Sequence, residues 1–131
     1  MSILGHKVST KVVATLAGLM LLAALLPALI RTPTREVHLV MKGMAFYLET
    51  DLQTPNPTIQ VNAGERVRVV VRNEDRGLTH DFAVPVAGAI TKEITWNQSG
   101  EVVFDVPEKP GTYEYVCQPH RLMMRGTIHV N

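Results

Sequence analysis

Gly111-Thr-Tyr-Glu-Tyr-Val-Cys117-Gln-Pro-His120-Arg-Leu-Met123-Met124-Arg-Gly126 is a strand-like segment that runs straight into a loop of soft donors. Thr112 to Val116 reads as a strand, and a strand end is a rigid place to fix a ligand. Cys117 is the only cysteine, so no disulfide can form within the chain. An imidazole follows three residues later at His120, and two thioethers, Met123 and Met124, come just beyond it. Pro119 has no N–H, so it stiffens the turn and cannot donate to the sulfur. A second histidine, His80, heads an earlier segment in Leu78-Thr-His-Asp-Phe82.

Thiolate, imidazole and thioether suit copper, whereas magnesium and calcium prefer oxygen. Two His, one Cys and a weak axial Met form the ligand set of a copper electron-transfer centre. Ligation needs the thiolate, so metal affinity should fall at low pH. Each ligating imidazole also needs a partner for its other nitrogen, and the sequence does not name one. Local spacing leaves Met123 and Met124 as alternatives for the axial place.

Outside this loop the chain is rich in turn and strand signals. Val37, Leu39 and Met41 alternate with polar neighbours, as do Val67, Val69 and Val71. Strands are expected near 37–42, 58–61, 66–72, 80–84, 91–96, 101–106, 112–116 and 126–130. Residues 43–57 read as irregular. Asn97-Gln-Ser-Gly100 reads as a hairpin turn between 91–96 and 101–106. Short strands with a turn every ten or so residues predict an antiparallel-rich sandwich or barrel. Met41, Phe46 and Trp96 are expected in the core. His38 and His129 fall on outward positions of the first and last strands; were those strands neighbours the two could form a second surface metal site, but two solvated histidines are the simple expectation.

The first quarter of the chain is different. Residues 1–11 are basic, with His6, Lys7 and Lys11, and Val12 to Ile30 carries no charge. Nineteen helical residues at roughly 1.5 Å each span about 28 Å, close to a bilayer's hydrocarbon core. The run is apolar on all faces and lacks a clear cleavage site, with Leu26-Pro-Ala28 the nearest approach, so residues 12–30 are expected to be an uncleaved transmembrane anchor, the alternative being a signal that is cleaved to release the domain. Residues 31–35 form a linker and residues 36–131 one domain. Net charge is +1 over 131 residues, with no basic stripe, so nucleic acid is not an expected partner. A lone thiol outside the cytoplasm is best preserved by a metal, which points to the periplasmic or extracytoplasmic face.

The chain resembles the cupredoxins, the family of plastocyanin, amicyanin and azurin. The resemblance covers residues 36–131. It rests on Val61-Asn-Ala-Gly-Glu65-Arg-Val67, on Thr79-His-Asp-Phe82, and on Gly111 to Cys117, Gln118-Pro-His120 and Met124-Arg-Gly126-Thr-Ile128. It implies an all-β Greek-key sandwich or barrel holding one Cu(I)/Cu(II) ion through His80, Cys117, His120 and Met124. In such proteins the axial Met stands two residues before a Gly that opens the last strand, and Gly126 thus selects Met124. The shorter loop of amicyanin would select Met123 instead.

There are two departures. Asp81 stands where plastocyanin-type members commonly have an Asn that ties the ligand loops together, and an ionised Asp can only accept hydrogen bonds. Three residues separate His120 from Met124, between the familiar loop lengths. The similar His-Asp-Phe of oxidase subunit II belongs to a binuclear site that needs two cysteines, so that site is excluded here.

The resemblance implies a monomeric carrier of single electrons rather than an enzyme. Redox proteins would dock near His120 beside Pro119, Leu122 and Met123, with Arg121 and Arg125 available for steering. The alternative, copper storage or delivery with the same ligands, rests on the adjacent Met123 and Met124.

Overall fold

The computed structural model describes residues 10–29, 33 and 35–131, with residues 22–29 in backbone only. The chain divides into two compact units between residues 32 and 33. The first contains helix α1 (Thr10–Leu29), rich in the strong helix formers Leu and Ala. Its described side chains, Thr10 to Leu21, are exposed. Among the described residues no helix is long and apolar enough to cross a membrane. Of the expected segments, residues 1–9, 30–32 and 34 lie outside the described residues.

The second unit is a two-sheet β-sandwich. Its strands are β1 (Arg35–Lys42), β2 (Ala45–Leu48), β3 (Thr58–Val61), β4 (Arg66–Asn73), β5 (Ala83–Val84), β6 (Ala89–Ile90), β7 (Ser99–Asp105), β8 (Gly111–Val116) and β9 (Arg125–Val130). One sheet runs β2-β1-β4-β7 and the other β3-β9-β8-β5-β6. Pairing is mixed. β1 lies parallel to β4 and β3 parallel to β9, while the other pairs are antiparallel.

Period-two alternation sets which side chains fill the space between the sheets. β4 buries Val67, Val69 and Val71 and leaves Arg66, Arg68 and Arg72 at the surface. Val37, Leu39 and Met41 on β1, Ile59 and Val61 on β3, and Ile128 and Val130 on β9 complete the core. Arg68 lies between Glu36 and Glu101 on the neighbouring strands, where cross-strand pairing of opposite charge is favourable.

Several sequence expectations need correction. Residues 43–57 are not wholly irregular, because β1 and β2 form a hairpin. Its two loop residues, Gly43 and Met44, both have positive φ, 59° and 62°, as a type I′ turn requires. The expected strand 91–96 and its hairpin are absent. Ile94 instead exchanges both backbone hydrogen bonds with His80, at 3.1 and 2.8 Å, so its partner is the ligand segment rather than the residues after the turn. The strand expected at 80–84 is reduced to β5, with His80 only bridged. Trp96 is not core. It is exposed, and the Arg76 guanidinium lies 4.3 Å from its ring centre. His38 and His129 sit in different sheets, so the first and last strands are not neighbours.

Gly126 shows how tightly the second sheet is closed. It pairs with Tyr115, and a Cβ placed on it would fall 2.2 Å from that fully buried ring. Gly126→Ala is therefore expected to cost about 2 kcal/mol or more through overpacking. Urea unfolding of the full chain checks this, since an unchanged midpoint would mean that the ring moves freely.

Candidate metal centre

Strand geometry delivers the donors. Tyr115 and Cys117 are two residues apart and so share a face, as do His80 and Phe82. Below the donors, Phe46, Phe82 and Tyr115 are all fully buried and form a closed triad. Phe82 stacks on Tyr115 with centroids 5.3 Å apart, and Phe46 meets both edge-on at 5.7 and 5.3 Å. The Tyr115 hydroxyl donates to the Pro57 carbonyl at 2.6 Å, which satisfies the one polar atom of the cluster. The two ligand segments thus stand on a common aromatic floor.

Above it, His80, Cys117 and His120 bring their donor atoms within 4.8 Å of one another. Cys117 Sγ lies 3.6 Å from His80 Nδ1 and 3.6 Å from His120 Nδ1, and the two nitrogens are 3.0 Å apart. Donors each about 2.0–2.3 Å from one small ion stand roughly 3–4 Å apart, so these spacings fit. Met124 is fully buried in the core cluster with Cys117, whereas Met123 is 59% exposed. With two imidazoles, one thiol and a buried thioether, the arrangement fits a single type 1 copper ion.

The Cys loop is closed by its own backbone. Cys117 N–H donates to the Met124 carbonyl at 2.9 Å, and Met123 and Met124 N–H both reach the His120 carbonyl. Asp81 joins this loop to the His80 segment. Its N–H points at Cys117 Sγ at 3.5 Å, and its Oδ1 accepts the Gln118 N–H at 2.7 Å. The acceptor-only side chain therefore still bridges the two ligand loops.

His80 Nε2 lies 3.0 Å from Asp75 Oδ2, which is the partner the sequence did not name. Asp75 sits five residues upstream in the polar loop, and its position there was the available signal. Asn56 was also missed. It accepts the Phe46 N–H at 3.0 Å and donates to the Met123 carbonyl at 3.1 Å, tying β2 to the Cys loop. The run Pro55-Asn-Pro57 marked a rigid turn but gave no sign of that reach.

Burial governs the electrostatics. It pushes the His80 imidazole below its ordinary value, against the hydrogen bond to Asp75. It pushes the Cys117 thiol up, against the N–H groups of Asp81 and His120. It also raises Asp81, opposed by the Gln118 N–H. For Asp75, burial works upward, but the N–H groups of Gly43 and Met44 and the His80 ring hold it below the usual carboxylate value.

The sign of the resulting pH dependence follows for the metal-free chain. His80 titrates lower when folded than when unfolded, so below about 6.5 the unfolded chain binds the extra proton. Stability should therefore fall with pH below that point by at most one proton's slope. His80→Gln should remove that part of the slope. Urea titrations across pH 5 to 8 measure the difference, and identical slopes would contradict it.

A family model described as "Cupredoxin-like domain" matches residues 14–130. No curated protein sequence matches the chain significantly. Among solved structures, auracyanin B aligns with a TM-score of 0.64 at 24% identity, over 78% of this chain and 92% of that one. Auracyanin A, a "blue" copper protein from the green thermophilic photosynthetic bacterium Chloroflexus aurantiacus, aligns at 0.59 and 20% identity, over 76% and 100%. A chain of a haem-copper terminal oxidase dimer aligns at 0.58 and 19%, over 92% and 98%. The family model spans the sandwich and its donors together, and the chain belongs to the cupredoxin-like family.

Proposed function

We infer that this protein carries single electrons between redox partners through one copper ion held by His80, Cys117, His120 and Met124. When bound, the ion supplies a Cu(II)/Cu(I) couple. The protein's part is to hold the donors in one arrangement for both states, which the aromatic floor and the Asp81 bridge support. One observation carries the reading. His80 and Cys117 are fully buried, whereas His120 is only partly buried and lines a surface depression of about 390 Å³. Electrons would leave by the His120 ring.

The rim of that depression suits brief docking. Met44, Pro119, Leu122 and Met123 line it, and Leu122 is 93% exposed. Brief redox encounters use small interfaces. Arg121 and Arg125 share Glu114, so one of the two steering charges beside the patch is compensated and one remains. Storage or delivery of copper is the weaker reading, because only one of the two loop methionines is exposed.

The anchor belongs to the same proposal. The uncharged run 12–30 coincides with most of α1, and the oxidase chain covers more of this sequence than the sandwich alone supplies. We place the copper domain on the periplasmic or extracytoplasmic face, held by that helix, and a haem-copper oxidase is a partner class to test.

Adding Cu(II) to the full chain should produce an intense thiolate-to-copper visible band that bleaches on reduction. Cys117→Ser should abolish it, and a retained band would refute the ligand assignment. Met124→Leu should shift the reduction potential strongly while Met123→Leu leaves it nearly unchanged. The opposite order would make Met123 axial.

A further inference from the structure

Among the described residues, Asp75 is the one carboxylate hydrogen-bonded to the ring of a donor histidine, and it touches something else as well. Three N–H groups converge on it. Gly43 N–H donates to Oδ1 at 2.6 Å, Met44 N–H to Oδ2 at 3.1 Å, and His80 Nε2 lies 3.0 Å from Oδ2. Asp75 is itself fixed from behind. Its N–H donates to Asn73 Oδ1 at 2.8 Å, and the Asn73 amide donates to the Leu78 and Ile94 carbonyls. Asn73 is fully buried, so this support is rigid.

We propose that Asp75 is a positioning residue that sets the Cu(II)/Cu(I) preference of the centre and couples His80 to the Gly43-Met44 turn at its rim. The inference rests on the copper reading above and adds a residue outside its ligand set. A carboxylate only accepts, so His80 must present its N–H at Nε2. That leaves the Nδ1 lone pair bare and aimed at Cys117 and His120. Such partners fix ring orientation and raise ligand basicity. The negative charge lies across the imidazole from the Nδ1 that would hold the ion, and the Asp75 side chain is only 12% exposed, so water screens it little. It favours the more highly charged Cu(II).

The other half of the carboxylate holds the two-residue turn with φ of 59° and 62°. Met44 of that turn lines the same depression as His120. A partner resting on Met44 therefore presses on the group that orients His80. A simple turn cap would need only the two backbone N–H groups. The third contact, to the ring, is what a cap does not explain.

Asp75→Asn tests the proposal on the full chain. The amide offers one acceptor oxygen to three N–H groups and sets an NH2 donor against one of them. Glu74→Gln is the control. It removes the adjacent charge, paired with Arg72 at 2.7 Å, without touching His80. Asp75→Asn should shift the ratio of Cu(II) to Cu(I) affinities at least tenfold toward Cu(I), read as a rise in midpoint potential of about 59 mV per tenfold for one electron. Glu74→Gln should change that ratio less than threefold.

An unmoved potential in Asp75→Asn with a normal visible band overturns the proposal, as does an equal shift in Glu74→Gln. Should Asp75→Asn fail to fold, the wild-type chain decides by NMR. The amide resonances of Gly43 and Met44 should move when Cu(I) is added, and unmoved resonances overturn the coupling. Absence of any thiolate-to-copper band in the wild-type chain is a different failure, which removes the copper reading and this inference together.

Discussion

Three lone-pair-bearing atoms, Cys117 Sγ and the Nδ1 atoms of His80 and His120, face one another across 3.0 to 3.6 Å. Neutral groups of this kind gain little from each other, and two of the three residues are cut off from water. Burial works against ionising the thiol and against protonating His80. The cluster is positioned by what lies beneath and beside it. The Phe46, Phe82 and Tyr115 triad fixes the floor, and Gly126 is bare so that the Tyr115 ring can lie against the last strand. The surrounding fold brings the donors of a soft-metal site together.

That arrangement explains why the two ligand segments are tied at more than one level. Asp81 bridges them with a main-chain donor to sulfur and a side-chain acceptor for Gln118. An Asn would offer the same acceptor and add a donor. The acceptor is the half the geometry uses, so the departure at position 81 costs the loops little connection. It does leave a second carboxylate beside the site, with Asp75 on the far side of His80. Both favour a cation in the pocket.

Much of this was legible because period two is a strong signal where one face is wet. Val67, Val69 and Val71 stood out against Arg66, Arg68 and Arg72, and their burial follows. The donors His80, Cys117 and His120 were legible from residue type and order. What was not legible depended on contacts distant in sequence. Ile94 looked like a strand residue but spends its hydrogen bonds on His80. Trp96 looked like core because it is large and apolar, yet Arg76 covers its ring at the surface. The Gly43-Met44 turn was hidden because Met is an unusual residue at positive φ, where Asn or Gly is the usual signal. Asp75 and Asn56 read as ordinary turn residues, since nothing local shows that a side chain reaches a ring or a distant carbonyl.

The site is also lopsided in a way that bears on partner choice. One imidazole is sealed beneath Asp75 and the other opens toward solvent, so the donor cluster is accessible from a single face. That face is mostly apolar, formed by Met44, Pro119, Leu122 and Met123 around His120, with Gln118 and Arg121 at its edge. Glu114 engages both Arg121, at that edge, and Arg125. Exposed charges more than a Debye length away, about 8 Å at physiological ionic strength, add little. Recognition there rests on shape and removal of apolar surface from water more than on long-range attraction. Such contacts release as readily as they form, which is what the proposed exchange of an electron with one partner after another would require.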